Sequence, residues 1–312
     1  MERKRVEAPN RGRFDQPQGA FQPMTRKRDR RPSPPSVGPR HPPPAAGRTR
    51  GQGAETERAP IRSRPRDRPV ERREAKVSLI YGFHSVMAAL KAPRRELIRL
   101  YATAAAAERL GAEIAARGLE TRIMAAEEIS ARAPREAIHQ GLLLEARPLA
   151  PIDVADLPAN GLVLVLDQIT DPHNVGAILR TAAAFAVDAV VTTERHSPEL
   201  AGALAKSASG GLEHVPICSV PNLARALAEM GDMGYWRIGL DSEAEIRLTD
   251  KPLSRPLALV LGAENKGLRR LTRERCDSLA RLDLPGAIKS LNVSNACAIA
   301  LALVHERISV QA

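Results

Sequence analysis

From residue 162 to 167 the chain reads LVLVLD, five aliphatic residues in a row closed by an acid. An extended run that is apolar on both faces must be covered on both sides, which marks a central strand of a parallel sheet. DAVVTT, HVPIC, YWRIGL and PLALVLG are further strand-like runs, and between them NVGAILRTAAAF, PELAGALAKSAS and PNLARALAEMG read as helices. Strand alternating with helix predicts an α/β fold on an open parallel sheet over 161–312. RLDL is read as a further strand, and a long last helix begins at about 292.

Upstream, LIYGFHSVMAALKA, LIRLYA, AAAERLGAEIAARG, TRIMA, AEEISARA and HQGLLLEARPL alternate in the same way, with Gly118 closing the third of them. They predict a small α/β domain over 77–147, joined to the larger one by a Pro-bearing linker, 148–160.

Residues 1–76 differ in kind. They hold 21 of the 47 Lys and Arg, only 9 of the 36 Asp and Glu, and 13 of the 25 prolines. Stretches such as RKRDRRPSPPSVGPRHPPP have too little aliphatic surface to offset the entropy of folding, so this segment is expected to be a disordered Arg/Pro-rich basic tail. Dense arginine without a fold binds polyanions through counterion release, and RNA or DNA suits it better than a membrane, for which it lacks an amphipathic face. The plainer reading is a solvated tail. No apolar stretch follows Met1, and no window approaches a bilayer span of roughly 18 residues. Cys218, Cys276 and Cys297 are scattered and odd in number, as expected of core thiols in a reducing cytoplasm.

Three turns at strand ends carry polar residues that the flanking pattern does not require: DPHNVGAILRTA (171–182), LGAENKGLRRL (261–271) and LPGAIKSLNVSNACAIAL (284–301). In a parallel sheet such turns share one edge, which makes them the default ligand site. Each residue also has a plain reading. Asn174 is a good helix N-cap. Arg180, six residues on and so on another helical face, suits a solvated surface. Glu264 sits at the rim of a buried strand, or in a simple turn. Ser290 or Asn292 caps the last helix, which accounts for only one of that segment's polar residues. His173 has no acid at fixed spacing and reads as a turn residue. Arg269, Arg270, Arg273 and Arg275 form either a solvated face or a phosphate grip. Metal spacings, a Gly-x-Ser-x-Gly elbow and a phosphate loop are all missing, which disfavours hydrolases and NTPases.

These three segments, in this order, resemble the three motifs of the SpoU-type ribose 2′-O-methyltransferases of the SPOUT superfamily. IYGFHSVMAAL and HQGLLLEA resemble the substrate-binding domain of the bacterial members that methylate a guanosine of 23S ribosomal RNA. The resemblance runs over roughly 79–310, and the basic tail has no counterpart in it. It implies an open sheet with a C-terminal trefoil knot, a homodimer, and S-adenosylmethionine held by Gly262, Leu282 and Leu291. It also implies that Arg180 stands at the acceptor hydroxyl with Asn174, Glu264, Ser290 and Asn292 around it. Guanidinium hardly deprotonates, so Arg180 is read as a phosphate holder, with the proton acceptor left open. Two alternatives differ in substrate or class: a transfer-RNA ribose methyltransferase, and a non-catalytic RNA-binding or ribosome-assembly protein on the same fold.

Overall fold

The computed structural model describes residues 76–311, apart from Glu136, His196 and Asn265. The reading of 1–76 as a disordered tail therefore lies outside the described residues but for its last one.

The first sheet is built from β1 (Ser78–Tyr81), α1 (Phe83–Lys91), β2 (Leu97–Ala102), α2 (Ala104–Arg109), α3 (Gly111–Arg117), β3 (Thr121–Ile123), α4 (Ala126–Arg132) and β4 (Leu142–Ala146). Its strand order is β1-β4-β2-β3. β4 runs antiparallel to both neighbours, and β2 and β3 run parallel. Leu142 and Leu144 of β4 face Val86, Leu90 and Leu110, all buried, whereas Leu143 packs with Tyr81, Tyr101 and Ile129 on the other face. The single helical stretch expected over 105–118 breaks at Leu110 into α2 and α3, and Gly118 closes it at a left-handed φ of 57°.

The second sheet contains β5 (Leu162–Asp167), α5 (Pro172–Ala184), β6 (Ala189–Thr193), α6 (Gly202–Ala208), α7 (Gly211–His214), β7 (Ile217–Val220), α8 (Leu223–Asp232), β8 (Trp236–Leu240), β9 (Leu257–Gly262), α9 (Arg270–Glu274), β10 (Ser278–Ala280) and α10 (Val293–Gln311). All its strands are parallel, in the order β10-β8-β9-β5-β6-β7. β5 is buried at every position, and one core cluster lies on each face of the sheet. Leu164 and Leu166 point into one cluster and Val163 and Val165 into the other, as the two-residue period of a strand requires.

Three local expectations are corrected. The strand read at RLDL instead lies at Ser278–Ala280, and Arg281 keeps only an isolated bridge to Arg247. The helix read from Pro198 starts at Gly202. The arginine-rich stretch read as part of a turn contains α9, where Arg270 pairs with Glu274 one turn on, an ion pair of the strength typical of exposed pairs.

The two sheets meet through α1, α6 and α7. The Arg95 guanidinium, fully buried, grips the Glu213 carboxylate of α7 with Nε and Nη2 and donates from Nη1 to the carbonyl of Arg147. Ser85 Oγ donates to the carbonyl of Ala205. Gly210 lies so close to α1 that a Cβ there would fall 2.5 Å from the Cβ of Ala88.

Candidate active site

The strand order reverses between β5 and β9, which are neighbours with Asp167 opposite Gly262. At such a switch point the turns leaving two adjacent strands diverge and open a crevice. The turn after β5 enters α5, the turn after β9 carries Glu264, and the segment after β10 returns to the same place before α10.

Asp171, not Asn174, caps α5. Its carboxylate accepts from the backbone N–H of His173, and Pro172 takes the first helical position, where a missing N–H costs nothing. Asn174 is thereby freed for tertiary contacts. Its Nδ2 donates to Glu264 Oε1 at 3.0 Å, and its Oδ1 accepts from Asn292 Nδ2 at 2.9 Å. Asn292 Nδ2 also donates to Glu264 Oε1 at 2.6 Å, and the backbone N–H of Val293 completes the set at 3.3 Å. Asn292 does cap the last helix, since its Oδ1 accepts from the N–H and hydroxyl of Ser294. One residue thus closes a helix and holds a carboxylate. Three donors converge on Oε1 of Glu264; Oε2 takes no hydrogen bond from a described residue.

Beside this cluster lies a cavity of about 500 Å³. Leu240, Leu261, Leu282, Leu291 and Val293 supply apolar wall; Asp241 and Glu243 supply carboxylates; Gly262, Glu264 and Ser290 reach its edge. Asp241 is fixed by Arg273 at 2.5 Å. Gly262 has no room for a side chain: a Cβ there would lie 2.2 Å from the carbonyl carbon of Gly267 and 2.5 Å from the nitrogen of Leu268.

The structure thus gathers Asn174, Glu264 and Asn292 into one hydrogen-bonded cluster and places Ser290, Gly262, Leu282 and Leu291 around the adjoining cavity. It does not bring Arg180 to them. Arg180 lies six residues beyond Asn174, about 9 Å along the helix, is exposed, and has no side-chain partner among the described residues. Gly176 has a packing role: a Cβ there would fall 2.5 Å from Ser207 Cβ and 2.7 Å from the Leu204 carbonyl oxygen, so it admits α6 against α5.

Sequence reasoning missed Asp167. It is fully buried, and its carboxylate accepts from Arg269 Nε at 2.6 Å and from the Arg269 backbone N–H at 2.9 Å, tying the end of β5 to the turn after β9. An acid closing an otherwise aliphatic run was the available signal, because a buried carboxylate needs a partner. Three of the four arginines of that segment therefore serve carboxylates of the protein, Arg269 with Asp167, Arg270 with Glu274 and Arg273 with Asp241. Cys218 and Cys297 are buried and Cys276 half-buried. Burial pushes their thiols up to about 11 for Cys218 and about 12 for the other two, so none is a nucleophile at neutral pH. Among the described residues no group of His, Cys, Asp and Glu is arranged to hold a metal ion.

A parallel sheet with a carboxylate fixed by two carboxamides at its switch point, next to an apolar-walled cavity, is an α/β protein with a small-molecule site at its sheet edge. Residues 161–302 match the SpoU rRNA Methylase family, and residues 79–152 match the RNA 2'-O ribose methyltransferase substrate binding family. A 23S rRNA (guanosine-2'-O-)-methyltransferase RlmB of Yersinia pestis is 36% identical over 233 residues, 72% of this chain and 94% of that one. Its namesake from Ralstonia nicotianae is 39% identical over 235 residues, 73% and 94% of the two chains. The fold is that of the SpoU methyltransferase AviRb from Streptomyces viridochromogenes in complex with AdoMet, with a TM-score of 0.64 at 20% identity over 73% of this chain and 89% of the other. The chain belongs to the SpoU rRNA methylase family.

The cavity fits the cofactor of such enzymes. Its volume lies within the roughly 300–1,000 Å³ of small-ligand sites. Leucine walls suit a purine, the carboxylates of Asp241 and Glu243 suit hydroxyl and ammonium groups, and the Glu264 carboxylate suits a sulfonium cation.

Proposed function

We propose that this chain methylates the ribose 2′-hydroxyl of a guanosine in 23S ribosomal RNA, with S-adenosylmethionine as cofactor held by Gly262, Leu282 and Leu291. The observation that carries the reading is the convergence of Asn174, Asn292 and the Val293 N–H on one oxygen of Glu264, at the mouth of the apolar-walled cavity.

Bound S-adenosylmethionine supplies a methyl group already activated by its sulfonium. The task left to the chain is to align the acceptor oxygen and take its proton. Glu264 is held rigidly through Oε1, and its Oε2 accepts the hydroxyl proton as the 2′-oxygen gains the methyl group. Asn174 and Asn292 set the orientation of that carboxylate, and Ser290, at the cavity edge, positions the ribose. Arg180, exposed and without a side-chain partner among the described residues, takes an RNA phosphate.

On this reading, 77–147 is the RNA-binding domain, 148–160 the linker and 161–312 the catalytic domain. The basic tail, 1–76, adds RNA affinity that depends on charge alone. The segment between β10 and α10, which doubles back to the β5 and β9 turns, is the knotted part of a trefoil. The working form is a cytoplasmic homodimer, in keeping with a ribosomal RNA substrate and with exposed Ile288, Leu291 and Ile299 near the site. No helix of the described residues is long and apolar enough to cross a membrane.

Titration calorimetry with S-adenosylhomocysteine tests the cofactor site. Gly262→Ala, which forces the turn at Gly267 and Leu268 outward, is expected to weaken binding at least tenfold. Tight binding to the Ala variant, or none to the unaltered chain, contradicts the assignment.

A further inference from the structure

A second cleft, of about 460 Å³, opens on the other side of the turn that carries Glu264. Ala263, Glu264 and Lys266 line both spaces. The rest of this cleft is made by Gln168, Ile169, Thr170, Asp171 and Asn174. Glu264 therefore stands between two cavities, one with leucine walls and one lined mainly by hydrogen-bonding groups.

Gln168 draws attention on backbone grounds. It follows the last residue of β5 at a φ of 59°, a left-handed conformation that costs a residue with a side chain free energy and is kept where the surroundings demand it. Asp167, locked beneath by Arg269, fixes the strand end from which Gln168 departs. Gln168 is only partly exposed and lines the cleft. Lys266, exposed and lining the same cleft, brings an ammonium group with no hydrogen bond or ion pair to a described side chain. Asp171 brings a carboxylate, of which only Oδ1 is used, in capping α5.

The methyltransferase reading, on which this inference rests, places the methyl donor in the first cavity. We propose that the second cleft receives the acceptor nucleoside, extruded from the RNA, and that Asp171, Gln168 and Lys266 read its base as guanine. Enzymes that act on a nucleotide within structured nucleic acid take it out of its stack and read its Watson–Crick edge by hydrogen bonds. Of the four bases, guanine alone presents two ring-edge donors side by side, N1–H and N2–H, which match a carboxylate such as Asp171. Its O6 and N7 are acceptors and match the Lys266 ammonium and the Gln168 amide. Uracil offers one N–H flanked by two carbonyls, and adenine has no donor at N1, so neither satisfies the carboxylate. The ribose of a nucleoside bound in this way reaches Glu264 and Asn174, which line the same cleft.

The test is saturation-transfer NMR on the full chain saturated with S-adenosylhomocysteine, using guanosine, adenosine and uridine 5′-monophosphates as probes. Guanosine monophosphate is expected to bind at least tenfold more tightly than the other two. Gln168→Gly, which suits the positive φ while deleting the amide, and Lys266→Met are each expected to weaken it about tenfold. Melting temperature should stay at its original value in both, and S-adenosylhomocysteine affinity should stay unchanged in Gln168→Gly, whose residue lines the second cleft alone. Absence of guanosine monophosphate binding, equal binding of the three nucleotides, or variants that bind it as the unaltered chain does would each overturn the assignment. These results leave the methyltransferase reading standing, because cofactor binding is measured in the same samples. A chain that binds no S-adenosylhomocysteine overturns that reading and this one with it.

Discussion

Glu264 is exposed, yet the position of its carboxylate is over-determined: three donors from two other segments meet on Oε1. Such an arrangement leaves Oε2 open for the proton that the proposed mechanism gives it, and it makes Glu264→Gln an informative change. The Gln variant keeps an oxygen for Asn174 and Asn292 but replaces the proton acceptor by an amide. Single-turnover methyl transfer at saturating RNA should fall about 10²- to 10⁴-fold, with S-adenosylhomocysteine affinity altered by no more than a few-fold. A rate close to the original removes Glu264 from proton transfer. At this scale the sequence was legible where a polar residue stood without a local reason. Asn174, Glu264 and Asn292 were all singled out in that way. Asp171 and Asp167 were not, because capping and burial depend on where a helix starts and which residue lies beneath, and the run of letters leaves both open. Arg180 resembles a site residue by motif, whereas within one chain the helix carries it away from Glu264.

Among the elements, α7 has the largest consequence for its size. Its four residues bring Glu213 to Arg95, and this pair is the buried electrostatic link between the two sheets. Breaking a buried pair strands a charge, so Arg95→Met should cost about 3–5 kcal/mol in chemical denaturation, and Arg95→Met with Glu213→Leu should regain much of it. If the single variant melts like the original chain, the link is not structural. Strands buried on both faces, such as β5 and β9, were plain from their unbroken aliphatic runs. The short β10 was misplaced by a few residues because SLA and RLDL offer similar apolar content, and pairing with β8 decides between them. α6, α7 and the break between α2 and α3 were indistinct for a related reason: their limits are set by close approach at Gly210 and Gly211 and by packing at Leu110, where distant parts of the chain meet.

Across the whole molecule, charge and chemistry are separated. The first 76 residues carry nearly half of the basic side chains, and the rest is close to neutral with a site built on carboxylates and amides. Removal of residues 1–76 should therefore weaken binding to 23S ribosomal RNA at low salt and flatten its salt dependence, by about 0.7–0.9 in logarithmic slope for each phosphate that the tail no longer neutralises. Cofactor affinity should not move. Unchanged RNA affinity in filter binding at low salt would refute the tether. The central claim is transfer of a methyl group to a ribose oxygen of this RNA, and it is tested most directly by incubating the full chain with methyl-labelled S-adenosylmethionine and 23S ribosomal RNA from cells that lack the protein. The account predicts label at a guanosine, in a dinucleotide that resists alkali because its 2′-oxygen is methylated. Label on a base, label at another nucleoside, or no incorporation by a chain that binds the cofactor would contradict it.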